Sequence, residues 1–309
     1  MYKQHSDTIL EGDNVIIGLG DSFTQGVGAY SLETWASIPN NPSTYNISGQ
    51  GFLEEQAKNN WVSQIKDNFL PNYKVYNLGV NGGGNRATAR ELYLNPLPKN
   101  LGNVVVILMA TSMERFDFLK QKDETAGINW HQKWQTIWPT ISDRGPISIL
   151  EKEYLEQIWS KRSDALEFLF TVREIENFCK ANGFHFLFAS TFDLLINKNK
   201  IKILLADKSE HIDIVNWDNF IDIKNAISFM DMIDKMETKS EIQKINQLRK
   251  FSVFSNMFQK EKTVHEIQQV VSKLKMPTKY ITPCCHWTIE GQYEVAKYLH
   301  TELIERKLI

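Results

Sequence analysis

A turn between a strand and a helix is predicted at residues 20–26, which read Gly20-Asp21-Ser22-Phe23-Thr24-Gln25-Gly26. The residues just before it, VIIGL at 15–19, form an apolar run that is typical of a buried strand. A helix that begins at such a turn leaves its first backbone N–H groups unpaired, so they can face developing negative charge. Ser22 is therefore a candidate nucleophile. The plainer alternative is an ordinary turn in which Asp21 or Ser22 caps the helix.

The alternation of strand and helix signals continues along the chain. Apolar runs predict strands at residues 74–78, 104–109, 184–189 and 278–281, and helical periodicity covers residues 52–70, 86–94, 147–182 and 289–304. The run at 104–109, VVVILM, is apolar throughout, which indicates a strand buried on both faces, as in a parallel sheet. We therefore predict a three-layer α/β/α fold with a mostly parallel sheet. Functional residues in such folds lie at the carboxyl ends of the strands.

Composition and charge are those of a globular protein. The chain has 309 residues, 42% of them hydrophobic and 23% charged, with a formal net charge of −2. This balance gives no reason to expect binding to nucleic acid or to an anionic membrane. Cys179, Cys284 and Cys285 do not suggest a disulfide framework, because adjacent cysteines rarely bridge each other. The first residues lack the apolar core of a signal peptide and no apolar run could span a bilayer, so a cytoplasmic protein is expected.

Some features do not fit the simple alternation of strands and helices. Trp130, Trp134 and Trp138 are spaced four residues apart, which predicts one helical face, used either for packing or as a wall that binds a sugar or an acyl group. Residues 194–275 are charged and helical, and we interpret them as a subdomain inserted into a single domain spanning 1–309. This segment is either a lid, an oligomer interface or a packed decoration. His185, in an apolar strand, is expected to be a core or sheet residue and not a ligand.

Residues 20–26 resemble the amino-terminal signature block of the GDSL/SGNH hydrolases, a family of serine esterases and lipases. These residues match the family block in position as well as in identity, because the family carries this block at its first strand-to-helix turn. The resemblance covers about residues 12–112 and 276–306 and leaves the 194–275 segment without a counterpart. It implies a flavodoxin-like fold and an acyl-enzyme formed on Ser22.

A glycine cluster after the second predicted strand resembles the second block of the same family. It reads NLGVNGGGN at 77–85, and by that register the backbone N–H of Gly82 joins the Ser22 N–H in an oxyanion hole. A glycine there lets the backbone approach the reacting carbonyl without a side chain in the way. A glycine-rich turn without a ligand is the plainer alternative. A nucleotide site is less well supported, because no Gly-Lys-Ser/Thr motif occurs.

A histidine that opens the final predicted helix resembles the family's catalytic-histidine block. The segment reads His286-Trp287-Thr288-Ile289-Glu290-Gly291, and the resemblance implies that His286 is the base for Ser22. The family's aspartate three residues earlier is replaced here by Pro283. The group that orients His286 is then a backbone carbonyl, a more distant carboxylate or nothing. The neighbouring Cys284 and Cys285 lack a usual zinc spacing, and no metal is expected.

The segment after the third predicted strand departs from the family pattern as well. The family places an asparagine there to donate to the oxyanion, whereas this chain has Thr111 near that position. We expect the hydroxyl of Thr111, or that of Ser112, to take over as a donor. Asp21, Asn85, Ser112 and Arg115 are expected to contact substrate, with Arg115 adding positive charge at the rim. For Arg115, the alternative is a solvated or ion-paired residue.

The sequence thus points to a serine esterase that needs no cofactor. The expected substrate is a small-molecule or carbohydrate ester, and transfer of the acyl group to a sugar is a close variant. The replaced aspartate and asparagine favour a different alternative, a weak or inactive member that serves as a binding or structural protein. A phosphoesterase-like or nucleotide-binding protein that uses residues 82–84 is a third reading. The sequence does not determine the oligomeric state.

Overall fold

A five-stranded parallel sheet forms the centre of the protein. The computed structural model describes residues 7–37, 50–113, 115–119, 134–137, 160–190, 196–222 and 286–309. The strands are β1 (Val15–Gly20), β2 (Lys74–Gly79), β3 (Val104–Ala110), β4 (Phe116–Leu119), β5 (Trp134–Ile137), β6 (His185–Ser190) and β7 (Phe220–Ile221). The main sheet has the order β2-β1-β3-β6-β7, and every neighbouring pair is parallel. This is the flavodoxin-like strand order, so the predicted fold class is confirmed.

The register of the three strands β2, β1 and β3 brings their carboxyl ends to the same level. Gly20 of β1 lies opposite Gly79 of β2 and Met109 of β3. The loops that follow these strands therefore meet at one edge of the sheet. This edge includes the point between β1 and β3 where the order of connection reverses, which is where flavodoxin-like folds bind their ligands.

Eight helices of the described residues surround this sheet. They are α1 (Ser22–Gln25), α2 (Leu32–Ser37), α3 (Gln50–Asn59), α4 (Trp61–Asn68), α5 (Asn85–Leu94), α6 (Lys161–Ala181), α7 (Lys198–Leu205) and α8 (Ile289–Glu305). Short 3-10 helices follow at Ala206–Ile214 and Trp217–Asn219. Within the described ranges, no helix has the length and apolar character needed to cross a membrane.

Both faces of the sheet are covered, as a three-layer fold requires. Successive strand residues point to opposite faces, so Ile16 belongs to one core and Val15 and Ile17 to the other. The Ile16 face packs against α4 and α8, through residues that include Trp61, Ile65, Val295 and Leu299. The opposite face packs against α5, α6 and α7, through residues that include Leu92, Leu169, Val172 and Ile201. Burial of these apolar side chains is the main favourable term in folding.

The helix predicted over residues 52–70 is in fact two helices, broken at Asn60. Asn60 has extended backbone angles and caps α4, because its side-chain oxygen accepts a hydrogen bond from Ser63 N–H at 3.0 Å. Its amide nitrogen also donates to Gln56 O at 2.9 Å. An asparagine that bonds to nearby backbone in this way competes with helix continuation. The spacing of Trp61, Ile65 and Phe69 stayed helical because all three residues follow the break.

The tryptophan spacing in residues 130–138 does not mark a helix at its centre. Trp134 is the first residue of β5, which pairs antiparallel with β4, with Trp134 opposite Leu119. The prediction of a helical face is therefore wrong for Trp134. A spacing of four residues also fits a strand, because residues two and four apart share a face of a strand. Trp130 and Trp138 lie outside the described residues.

The first part of the 194–275 segment is joined to the main sheet. Residues 220–221 form β7, which pairs parallel with β6, so the all-helical expectation is wrong there. Ile201 and Leu205 of α7 are fully buried in the core that faces α6. Residues 223–275, the predicted strand at 278–281 and both Cys284 and Cys285 lie outside the described part of the chain. The assignment of an inserted subdomain or lid stays a prediction.

His185 occupies the first position of β6, in line with the expectation of a sheet residue. Its side chain is exposed, whereas the next four residues of the strand are buried. The alternative expectation, a core residue, is therefore wrong. The apolar neighbours in sequence misled because the strand enters the core only after its first residue.

Packing of α6 makes a prediction about thiol chemistry. Cys179 is buried, and this burial, with a smaller contribution from the Glu176 carboxylate, raises the pKa of its thiol to about 12. The thiolate is the reactive form, so we expect Cys179 to resist iodoacetamide at about pH 8 in the folded protein and to react after unfolding. Peptide mass spectrometry after brief alkylation measures this difference. Equal labelling of Cys179 in the folded and unfolded protein would contradict the packing.

Candidate active site

Ser22 is the first residue of α1 and directly follows the turn that ends β1. Asp21 caps the helix, since its Oδ1 accepts a hydrogen bond from Phe23 N–H at 3.0 Å. The Ser22 N–H makes no hydrogen bond with any residue that the structure describes. The turn therefore combines the expected cap at Asp21 with an unbonded N–H on Ser22 itself.

Gly20 is required at this turn because its surroundings leave no room for a side chain. A Cβ atom at Gly20 would lie 2.2 Å from Thr24 Oγ1 and 2.8 Å from the carbonyl oxygen of Met109. The backbone of β1 can therefore turn into α1 directly against β3. This close approach places Ser22 at the edge of the sheet, beside the loop that follows β3.

His286 lies against Ser22 although 264 residues separate them in the sequence. Its Nε2 is 2.7 Å from Ser22 Oγ, and both residues are buried. His286 is held just before α8, which begins after the cap Thr288, whose hydroxyl accepts from Gly291 N–H at 3.2 Å. The structure thus brings together the two residues predicted as nucleophile and base.

Aromatic packing fixes the plane of the His286 ring. The Phe23 ring lies 4.8 Å from the His286 ring, centroid to centroid, with the planes tilted by 36°. Trp287 packs edge-on against the same Phe23 at 4.8 Å and is fully buried. Since Phe23 directly follows Ser22, the residue after Ser22 supports the ring of His286.

Gln292 clamps the histidine helix to the serine helix, and sequence reasoning missed it. Its Nε2 donates to Phe23 O at 2.9 Å, and its Oε1 accepts from Trp61 N–H at 2.9 Å. The side chain is fully buried, so both of its polar ends are used in the interior. The clamp ties α8 to both α1 and α4 and thereby sets the approach of His286 to Ser22.

A sequence signal for Gln292 did exist. In the closing helix, positions 292, 295, 296, 299 and 303 have the spacing of one helical face, and all of them are buried. The other members of this face are Val295, Ala296, Leu299 and Leu303. A glutamine on an apolar face has to satisfy its amide internally, which marks it as a contact residue.

The glycine loop after β2 places Gly82 at the protein surface. Gly82 has φ +71°, is exposed, and no atom lies within 4 Å of where its Cβ would be. Its N–H has no hydrogen-bond partner among the described residues. The loop is anchored on both sides of it, because Val80 N–H donates to Gly20 O at 2.8 Å and Gly83 N–H donates to Val80 O at 3.0 Å.

Asp117 of β4 fixes the other end of this loop, and no sequence pattern pointed to it. Its carboxylate accepts from Ala87 N–H at 2.9 Å and from Gly84 N–H at 3.3 Å, which caps the start of α5. Arg90 lies 3.5 Å from the same carboxylate. Burial lowers the pKa of Arg90, and the nearby Asp117 carboxylate partly offsets that effect.

Thr111 is placed beside the turn, but its hydroxyl is already used. It donates to Asp21 Oδ2 at 2.8 Å, which leaves it no hydrogen to give to an oxyanion. Asn85 is occupied as well, because its Oδ1 accepts from Thr111 N–H at 2.9 Å and its Nδ2 donates to Thr111 O at 3.2 Å. These contacts hold the loop after β3, and Ser112 within it is also buried.

Arg115 forms a buried ion pair and does not lie at an open rim. Its Nη1 is 3.0 Å from Asp21 Oδ2 and 3.0 Å from Gly83 O. The side-chain exposures are 7% for Arg115 and 0% for Asp21, which makes this a pair in the interior. Asp21, Asn85 and Arg115 thus have protein partners where substrate contacts were expected of them.

No metal centre is visible in the part of the chain that the structure describes. Within those residues, no three His, Cys, Asp or Glu side chains come together as metal ligands would. The site consists of a hydroxyl, an imidazole and unbonded backbone N–H groups. That combination suits acyl transfer through a covalent intermediate.

Comparison with known proteins finds similarity in structure only. No protein-family model matches the chain, and no curated protein matches it in sequence. Among solved structures it is similar to an acetyl xylan esterase, AlAXEase, at 11% identity and a TM-score of 0.39, over 94% of this chain and 99% of that one. It is also similar to a member of the lipolytic protein G-D-S-L family from Veillonella parvula DSM 2008, at 9% identity and a TM-score of 0.35, over 95% and 99%.

A third similar structure is a carbohydrate esterase whose active site displays divergent catalytic and non-catalytic binding functions. The identity is 13% and the TM-score 0.37, over 97% of this chain and 70% of that one. At such identities and TM-scores, the chemistry of the site has to be inferred from its own side chains.

The Gln292 clamp predicts a large loss of stability on truncation. Gln292→Leu leaves the buried Trp61 N–H without its acceptor, which costs about 1–3 kcal/mol, and removes the hydrogen bond to Phe23 C=O, which costs about 0.5–1.5 kcal/mol. We expect the free energy of unfolding to fall by roughly 2–5 kcal/mol. Urea unfolding followed by tryptophan fluorescence measures it.

Gln64→Leu is the matched control for this experiment. Gln64 lies on α4 and is partly exposed, and among the described residues its side chain forms a hydrogen bond only with the exposed Asn68 side chain, at 2.7 Å through its Oε1. We expect a change of about 0.5 kcal/mol or less. Similar losses in Gln292→Leu and Gln64→Leu would show that the clamp contributes nothing specific.

Proposed function

We propose that this protein is a serine hydrolase that cleaves an ester through an acyl-enzyme on Ser22. The observation that carries the proposal is the 2.7 Å contact between Ser22 Oγ and His286 Nε2 at the carboxyl end of β1. A serine hydroxyl is a weak nucleophile until an adjacent base takes its proton. His286 is within reach of that proton, and the resemblance of residues 20–26 to the GDSL/SGNH signature supports the same pairing.

The proposed reaction begins with transfer of the Ser22 hydroxyl proton to His286 Nε2. As the proton leaves, Oγ forms a bond to the carbonyl carbon, and the carbonyl oxygen becomes an oxyanion. The intermediate collapses by breaking the bond to the leaving alcohol, which takes the proton from Nε2. Water then repeats the sequence, with His286 again as base, and releases the acid and free Ser22.

Two backbone N–H groups are the proposed donors to the oxyanion. They are those of Ser22 and Gly82, which are unbonded within the described residues and belong to adjacent loops at one edge of the sheet. Each preorganised donor of this kind is worth about 10²–10³ in rate. Thr111 is not among the donors we propose, because its hydroxyl hydrogen is given to Asp21.

Packing and the Gln292 clamp support the orientation of His286 in this proposal. Residues 282–285, Thr-Pro-Cys-Cys, contain no carboxylate, so the family's usual aspartate is absent from that stretch of sequence. Phe23 packs against the imidazole ring, and Gln292 holds the backbone of Phe23. The contact with Phe23, which is adjacent to Ser22, therefore supports the orientation of the His286 ring.

The proposed substrate is an ester of a small acyl group, with acetylated carbohydrates as the first class to screen. This choice follows from the family resemblance of the sequence. Acyl transfer to a sugar hydroxyl would use the same intermediate and differ only in the acceptor. The competing proposal is a binding protein on the same fold. It is favoured by the replaced aspartate and by the Thr111 hydroxyl, which already donates to Asp21.

A fluorophosphonate probe tests the proposed function without a choice of substrate. We expect a single adduct on Ser22, located by peptide mass spectrometry, because the probe reacts with a serine whose proton a base removes. Ser22→Ala should abolish the adduct and His286→Ala should slow it by about 10²-fold or more. A folded wild-type protein that stays unlabelled would reject the hydrolase and leave the binding protein.

A further inference from the structure

Asp21 joins the turn after β1 to the loop after β3. Its carboxylate is fully buried and accepts from Phe23 N–H within its own turn, at Oδ1. Its Oδ2 accepts from the Thr111 hydroxyl at 2.8 Å and from Arg115 Nη1 at 3.0 Å. The side chains of Thr111 and Arg115, which follow β3, therefore both donate to one oxygen of Asp21.

The Arg115 guanidinium connects this carboxylate to the glycine loop. The same Nη1 lies 3.0 Å from Gly83 O, and Gly83 directly follows Gly82. One nitrogen thus joins the side chain of Asp21, the residue before Ser22, to the carbonyl of Gly83, the residue after Gly82. A guanidinium suits this task because it is planar, always charged and carries several donors in fixed directions.

We propose that Arg115 is a positioning residue that sets the oxyanion site of Ser22 and Gly82 by tying the Asp21 turn to the glycine loop. The inference rests on the proposed function and assigns to the loop after β3 a role other than direct donation. Thr111 and Arg115 act on the nucleophile turn through Asp21, instead of placing a hydrogen bond on the substrate.

Charge gives a second reason for the arginine. A buried carboxylate one residue before the nucleophile repels the negative charge that develops on the substrate, and low polarity in the interior strengthens this repulsion. Arg115 balances the Asp21 charge at 3.0 Å. Removal of the arginine alone would leave a buried, uncompensated charge, whereas removal of both charges would not.

The test compares Arg115→Met, Asp21→Asn and the double variant with the wild type. Asn at position 21 keeps an oxygen to accept from Phe23 N–H, so the cap of α1 survives. Arg86→Met is the matched control, because Arg86 lines the same small cavity as Arg115 but pairs at 3.3 Å with the half-exposed Glu167. The readouts are the rate of fluorophosphonate labelling at Ser22 and NMR hydrogen exchange of the Gly83 amide, which is bonded to Val80 O.

We expect Arg115→Met to slow labelling by about 100-fold or more, the scale of losing one oxyanion donor. The double variant should recover at most about tenfold of that loss, because the charge is balanced but the tie stays absent, and Arg86→Met should stay within about threefold of the wild type. The Gly83 amide should exchange at least about tenfold faster in Arg115→Met. An arginine that served only to balance the Asp21 charge would give full recovery in the double variant and would leave Gly83 exchange unchanged.

Two results overturn the inference. Labelling of Arg115→Met at the wild-type rate does so, as does a folded double variant that is labelled at the wild-type rate. If Arg115→Met does not fold, Arg115→Lys replaces it, and wild-type labelling and Gly83 exchange in Arg115→Lys overturn the inference. If wild-type Ser22 is unlabelled, the proposed function fails separately. The Gly83 exchange rate in Arg115→Met then decides whether Arg115 ties the glycine loop to Asp21. An exchange rate equal to that of the wild type would reject the tie.

Discussion

The parallel register of β1, β2 and β3 is the constraint on which the site depends. Because Gly20, Gly79 and Met109 lie side by side, three loops from distant parts of the sequence begin at one level. A slip of one residue would turn every side chain of a strand to the opposite face and separate these loops. The hydrogen bond from Val80 N–H to Gly20 O, at 2.8 Å, carries the alignment one residue past the strands.

Buried polar contacts then convert this alignment into a defined geometry. On one side of Ser22, Gln292 joins the helix behind His286 to the backbone of Phe23 and Trp61. On the other side, the Asp21 carboxylate accepts hydrogen bonds from Thr111 and Arg115. Buried hydrogen bonds of this kind favour one arrangement over others, because an alternative would break them in the interior. Ser22 is therefore fixed from both sides through its sequence neighbours, Asp21 and Phe23.

Strands β1, β2, β3 and β6 and their parallel arrangement could be predicted because each depends on a local pattern, and the pairing of Ser22 with His286 was implied by the family resemblance. Apolar runs mark buried strands, and both candidate residues stand at a strand or helix end within recognisable blocks. The break at Asn60 was missed because side-chain capping competes with a helical pattern that is otherwise uninterrupted. The partners of Thr111, Asn85 and Arg115 could not be predicted, because the sequence does not show which buried group meets which across the sheet edge.

The central claim is that Ser22, His286 and the Gly82 N–H act on one carbonyl group. A crystal structure of the phosphonylated protein tests it most directly, since the phosphonyl oxygen occupies the position of the oxyanion. We predict a bond from phosphorus to Ser22 Oγ, with that oxygen about 2.7–3.1 Å from both Ser22 N and Gly82 N. An adduct whose oxygen points away from Gly82, or whose bond is to another residue, would contradict the account.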